Sequence, residues 1–146
     1  MEITRRCDYA CRILRAAYDH GDSYISIAEV ADREDIPYSF ARSIQHDLVK
    51  AGYLKTIRGV RGGLMLSCDP AKTTLYEVLE ALQGPISVAP CTIDPDYCNK
   101  SRGCAFCSAF GAADSLLKNL FEKIYLADLF EQGDQHPAIV QAMAAE

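Results

Sequence analysis

The chain has 146 residues and is 49% apolar, enough for an ordinary core, so its seven cysteines are not required as staples for a core-poor fold. No stretch of about 18 apolar residues occurs and the first residues form no apolar leader, which argues against a membrane span or signal peptide and predicts a cytoplasmic protein. In that reducing compartment, cysteines point to metal or redox chemistry.

The net charge of −5 is unevenly spread. Residues 1–70 hold ten basic and ten acidic residues, and residues 71–146 hold five against ten. Residues 38–63 carry Arg42, Lys50, Lys55, Arg58 and Arg61 against Asp47 alone, a local charge of +4. Contact with a polyanion depends on such a patch and not on the total.

A first helix is predicted over residues 3–18, with Ile3, Cys7, Ala10, Cys11, Leu14, Ala17 and Tyr18 on its apolar face and Gly21 beyond its end. Cys7 and Cys11 read as small buried hydrophobes of that face. Ser26 and Glu29 form a capping-box signature for a short second helix, and Pro37 presets a third over residues 38–51. The third helix is expected to bury Phe40, Ala41, Ile44, Leu48 and Val49. Tyr38, Ser39, Arg42, Ser43, Gln45, His46 and Lys50 form its polar face. Two short strands, 53–57 and 64–66, then flank Arg58-Gly59-Val60-Arg61-Gly62-Gly63.

A helix pair followed by a basic hairpin is the order of a winged helix-turn-helix. Arg42 and Gln45, with Tyr38, Ser39 and Ser43, are candidates for base or nearby phosphate contact, and Lys50 for phosphate. Arg58 and Arg61 suit phosphates or a narrow minor groove. Lys55 reads as a further phosphate contact or a solvated lysine, and His46 as a surface residue.

A helix over 74–82 ends at Gly84-Pro85, and the longest helix is expected over 108–130, its stripe running through Ala113, Leu117, Leu120, Ile124 and Ala127. So long an apolar stripe on a small domain predicts pairing with a second copy. The expected fold class is mainly α with a small β-hairpin. It comprises a winged helix-turn-helix head (1–83), a cysteine-rich loop (84–107), a dimerisation helix (108–132) and a flexible tail (133–146).

Cys91, Cys98, Cys104 and Cys107 fall within seventeen residues that hold too few apolar side chains to order themselves by packing. A thiolate-ligated metal centre is the natural candidate. Structural zinc is less fitting, because only Cys104 and Cys107 make a close pair. A metal-free thiol switch through Cys98 or Cys104 is a further option. Cys68 reads as a structural residue at a strand end. No nucleophile elbow, phosphate-cradling loop or acid–base pair is present, so an enzyme is not expected.

Asp8-Tyr9-Ala10, Ile36-Pro37, Gly52-Tyr53-Leu54, the glycine-rich wing and the late cysteines together resemble the Rrf-type winged-helix bacterial transcription regulators, including their IscR-like and NsrR-like branches, over residues 1–132. The resemblance implies a homodimer that binds double-stranded operator DNA. It also implies one iron–sulfur cluster per subunit, 2Fe–2S or 4Fe–4S, modulating affinity. Cys91, Cys98 and Cys104 match the family's three cysteine ligands, with one residue more than usual between the first two. IscR-like members place a histidine where Cys107 stands, and NsrR-like members use an acidic residue corresponding to Asp8 of the partner subunit. Iron's preference for thiolate, and the helix N-terminus that follows, favour Cys107 over Asp8.

Overall fold

The computed structural model describes residues 2–145. Two compact units divide the chain, Ile3–Thr73 and the residues from Thr74 onward. The division falls before the fourth helix, whereas the expected head ran to residue 83.

In the first unit, α1 spans Arg5–His20, begun by the Thr4 hydroxyl accepting the Cys7 N–H and stopped by Gly21 at φ 74°. Thr4 takes the capping role, so Ile3 lies outside the helix and is exposed rather than part of its apolar face. Cys7, Ala10, Ile13, Leu14 and Ala17 build the core side of α1. Ser26 caps α2 (Ile27–Arg33) by accepting the Glu29 N–H, and the Glu29 carboxylate pairs with Arg33 one turn later. Helix α3 (Tyr38–Lys50) follows Pro37 directly and buries Ala41, Ile44 and Leu48.

Phe40 departs from expectation. It is 53% exposed, because the buried stripe runs through Ala41, and its ring packs edge-to-face with Tyr9 with centroids 6.4 Å apart.

Strands β1 (Leu54–Ile57) and β2 (Gly63–Leu66) pair antiparallel with Leu54 opposite Leu66 and Ile57 opposite Gly63. Ile25, between α1 and α2, bridges to Leu64 through two backbone hydrogen bonds of 3.0 and 2.8 Å and thereby anchors the hairpin to the helices. That close approach requires glycine next door. A Cβ on Gly63 would lie 2.2 Å from the Ile25 carbonyl oxygen.

The second unit opens with α4 (Leu75–Gln83), whose Thr74 and Glu77 form a complete capping box. The cysteine segment follows, containing a 3-10 turn at Pro90–Thr92. Helix α5 spans Ala105–Glu122, α6 spans Leu126–Gln132 and α7 spans Pro137–Ala144.

The single long helix expected over 108–130 is therefore two helices. At the break the Ile124 carbonyl accepts the Leu75 N–H at 2.8 Å, and Thr74 and Tyr125 form a bridge. Ile124 and Leu126 become buried there, which compensates the interrupted helical ladder. The segment expected as a tail contains a further helix. His136 is buried, its Nδ1 accepts the Ala138 N–H to start α7, and α7 packs on α5.

Candidate nucleic-acid interface and metal centre

Helix α3 presents Tyr38, Ser39, Arg42, Ser43, His46 and Lys50 to solvent, with Gln45 half-buried beside them. The helix adopts this orientation because Ala41, Ile44 and Leu48 commit the opposite stripe to the core. Arg58, Val60 and Arg61 are exposed at the hairpin tip. Gly59 there has a φ of 117° and sits in open space.

Two features of this face escape a sequence reading. Arg6 of α1 reaches across to α3, donating from Nε to Asp47 at 3.1 Å and from Nη2 to the Ser43 hydroxyl at 3.2 Å. Asp47 is the one acid within the basic segment, and Arg6 pairs with it, so that it opposes the patch less. Forty-one residues separate the partners, so no local pattern announces the pair. Ser43 is thereby held by Arg6, while Ser39 and Arg42 remain on the open face.

Two of the four late cysteines lie at the start of α5, and a third touches one of them through its backbone. Cys104 is the N-cap residue of α5, where no side chain caps the helix, and Cys107 lies in its first turn. Cys91 lies within the 3-10 turn and Cys98 in the loop between. All four are half-buried and none forms a disulfide. The Cys107 thiol donates to the Cys91 carbonyl at 3.5 Å. Its pKa is raised by hydrogen bonding to Cys91, then by burial, then by the negative charge of Cys91, Cys104 and Cys98. Among the described residues, no three His, Cys, Asp or Glu side chains are drawn tightly enough together to hold a metal ion.

Asp8, the other candidate ligand, pairs with Arg12 of its own helix at 3.1 Å. Cys7 is fully buried, and the Cys11 thiol is pushed up to about 12, chiefly by burial, then by Cys7 and Asp8.

Asp114, on α5, went unnoticed in the sequence. Its carboxylate accepts the Val88 N–H at 2.7 Å and the Thr92 hydroxyl, on either side of Cys91. The available signal was a lone acid in the small and apolar run Gly111-Ala112-Ala113-Asp114-Ser115-Leu116-Leu117.

With this geometry in place, comparison with known proteins narrows the possibilities. The profile of the Rrf2 family, described as an iron-dependent transcriptional regulator, matches residues 3–132. The NsrR transcriptional regulator of Shouchella clausii is 25% identical over 148 residues, covering 100% of this chain and 99% of that one. An rrf2-like helix-turn-helix regulator of Rhodobacter capsulatus is 29% identical over 141 residues, covering 90% of this chain and 94% of its own. Among solved structures, the global cysteine regulator CymR of B. subtilis superposes with a TM-score of 0.74 at 22% identity, covering 92% of this chain and 99% of its own. IscR of T. potens superposes with a TM-score of 0.73 at 18% identity, covering 100% of this chain and 93% of its own. These two structures establish a shared fold. No helix among the described residues is long and apolar enough to cross a membrane.

Proposed function

The chain belongs to the Rrf2 family of transcriptional regulators, DNA-binding proteins rather than enzymes, and from that premise we propose a homodimer whose operator affinity is set by an iron–sulfur cluster in each subunit. The observation that carries the proposal is the contact of the Cys107 thiol, in the first turn of α5, with the Cys91 carbonyl, beside Cys104 at the helix N-cap. The donor set fits the group: four reduced, half-buried thiols complete either common cluster type. The amides at the uncapped start of α5 favour a negatively charged centre. Once bound, the cluster supplies a centre that oxidants, nitric oxide or iron shortage can alter.

Cys107 is the preferred fourth ligand. It already contacts the Cys91 backbone, whereas the Asp8 carboxylate is engaged by Arg12. Each head offers α3 to a major groove, with Arg42, Ser39 and Gln45 aimed at base edges, and Arg58 and Arg61 at the backbone or minor groove. Pairing of two copies through α5 is supported by its burial pattern. None of its 18 residues is buried, and Phe106 and Leu116 are 75% and 72% exposed. A two-fold dimer reads half-sites about one DNA turn apart.

The test is the visible spectrum of protein purified without oxygen, with iron and acid-labile sulfide assays, followed by operator titrations of loaded and metal-free forms. Visible absorption with matched iron and sulfide, and different affinities for the two forms, is the expected result. A colourless protein, with or without zinc, would move the sensor to thiol chemistry. Equal affinities of loaded and metal-free protein would remove the cluster from regulation.

A further inference from the structure

Asp114 makes two contacts with one short segment. Val88 offers its backbone N–H at 2.7 Å to one carboxylate oxygen, and the Thr92 hydroxyl donates to the other. The Thr92 hydroxyl is also 3.0 Å from the Ser87 hydroxyl and 2.8 Å from the Ala89 carbonyl. Residues 87–92 therefore form a small hydrogen-bonded unit, and Asp114 attaches that unit to α5 at two points. Two points fix rotation as well as position. Cys91 lies inside this unit, and its carbonyl is the acceptor for the Cys107 thiol. Cys98, by contrast, opens a turn at 98–101 whose Ser101 hydroxyl reaches the Pro95 carbonyl at 3.2 Å, so its bonds are local and, among the described residues, none ties it to α5.

The geometry points to Asp114 as the positioning residue that seats Cys91 against α5 ahead of metal binding, leaving the arm that carries Cys98 to close afterwards. This inference rests on the cluster proposal and deepens it. A ligand seated in advance removes part of the ordering entropy from the binding step, and supporting groups of this kind typically change metal affinity by about 10–100-fold when deleted.

The experiment begins with reduced, metal-free full-length protein. Iodoacetamide labelling of each cysteine is followed by peptide mass spectrometry in wild type, Asp114→Ala, Asp114→Asn and Thr92→Val. Asp114→Ala should label Cys91 about tenfold faster, the change that loss of a charge-assisted hydrogen bond produces in an opening equilibrium, with Cys98 unchanged. Asp114→Asn retains an acceptor for the Val88 N–H and should fall between. Thr92→Val leaves α5 untouched and should reproduce part of the effect, so the test survives if Asp114→Ala folds poorly. In reconstituted protein, iron should pass to a ferrous chelator about tenfold faster from Asp114→Ala. Equal labelling of Cys91 in all four proteins, a parallel rise at Cys98 and Cys104, or unchanged iron release would overturn the inference. Wild type that takes up no iron and sulfide would instead defeat the cluster proposal, while Cys91 labelling would still decide whether Asp114 seats that residue.

Discussion

At Gly63 a φ of 152° and an Ile25 carbonyl oxygen 2.2 Å from where a Cβ would stand both exclude a side chain. Gly63→Ala should therefore destabilise the head by about 3 kcal/mol, or lower its thermal midpoint by roughly 10 °C, read by circular dichroism. Cys11 yields a pH prediction. Its pKa is raised from 9.0 to about 12, so the folded chain keeps a proton that the unfolded chain releases. The resulting stability is fully present below pH 9 and is lost as pH rises from 9 toward 12. Cys11→Ala should flatten that alkaline loss in denaturant melts recorded from pH 8 to 10.5. Both residues show what the sequence discloses at this scale. The run of glycines announced a turn, but the need for glycine at 63 arises from Ile25, far away in the chain. The burial of Cys7 followed from helical spacing, whereas Cys11, expected to be buried too, is half-buried at the edge of that face. Phe40 was misplaced because hydrophobicity does not distinguish the centre of a stripe from its edge, and Ala41 holds the centre.

Among the elements, those with local start and stop signals were legible. Ser26 and Pro37 marked α2 and α3, and the wing followed from glycines between two short apolar runs. The interruption between α5 and α6 was not legible, because both helices continue the same apolar period across it. What breaks the helix is a non-local hydrogen bond from Leu75 to Ile124. Asp114 was missed for the same reason, since its partners Val88 and Thr92 precede it by more than twenty residues. The exposed apolar face of α5 gives the prediction at this scale. Leu116→Glu places a charge on that face without touching a buried side chain, so the monomer should keep its fold. Sedimentation velocity at micromolar concentration should show wild type as a dimer and Leu116→Glu as a monomer. Operator affinity should fall by about 100-fold, because two half-sites can no longer be engaged at once. A variant that stayed dimeric would place the pairing surface elsewhere.

For the molecule as a whole, the question is how a chain of net charge −5 binds a polyanion. The acidic excess lies entirely beyond residue 70, while the segment with Arg42, Lys50, Lys55, Arg58 and Arg61 has its single acid, Asp47, paired with Arg6. Binding through so local a patch should be strongly salt-dependent, since each neutralised phosphate releases counterions and adds about −0.9 to the slope of log K against log salt. The two parts of the head should then separate in one titration series. Arg58→Ala and Arg61→Ala, at the exposed hairpin tip, should each reduce the slope by about one unit and weaken specific and random DNA alike. Arg42→Ala, on the face of α3, should weaken the operator by about 1–3 kcal/mol, change random DNA far less and leave the slope nearly intact. If Arg42→Ala lowered the slope instead, Arg42 would be a backbone contact, and the choice of sequence would fall to Ser39, Gln45 and the shape of the DNA. Fluorescence anisotropy at four salt concentrations, with operator and scrambled duplexes, distinguishes these outcomes.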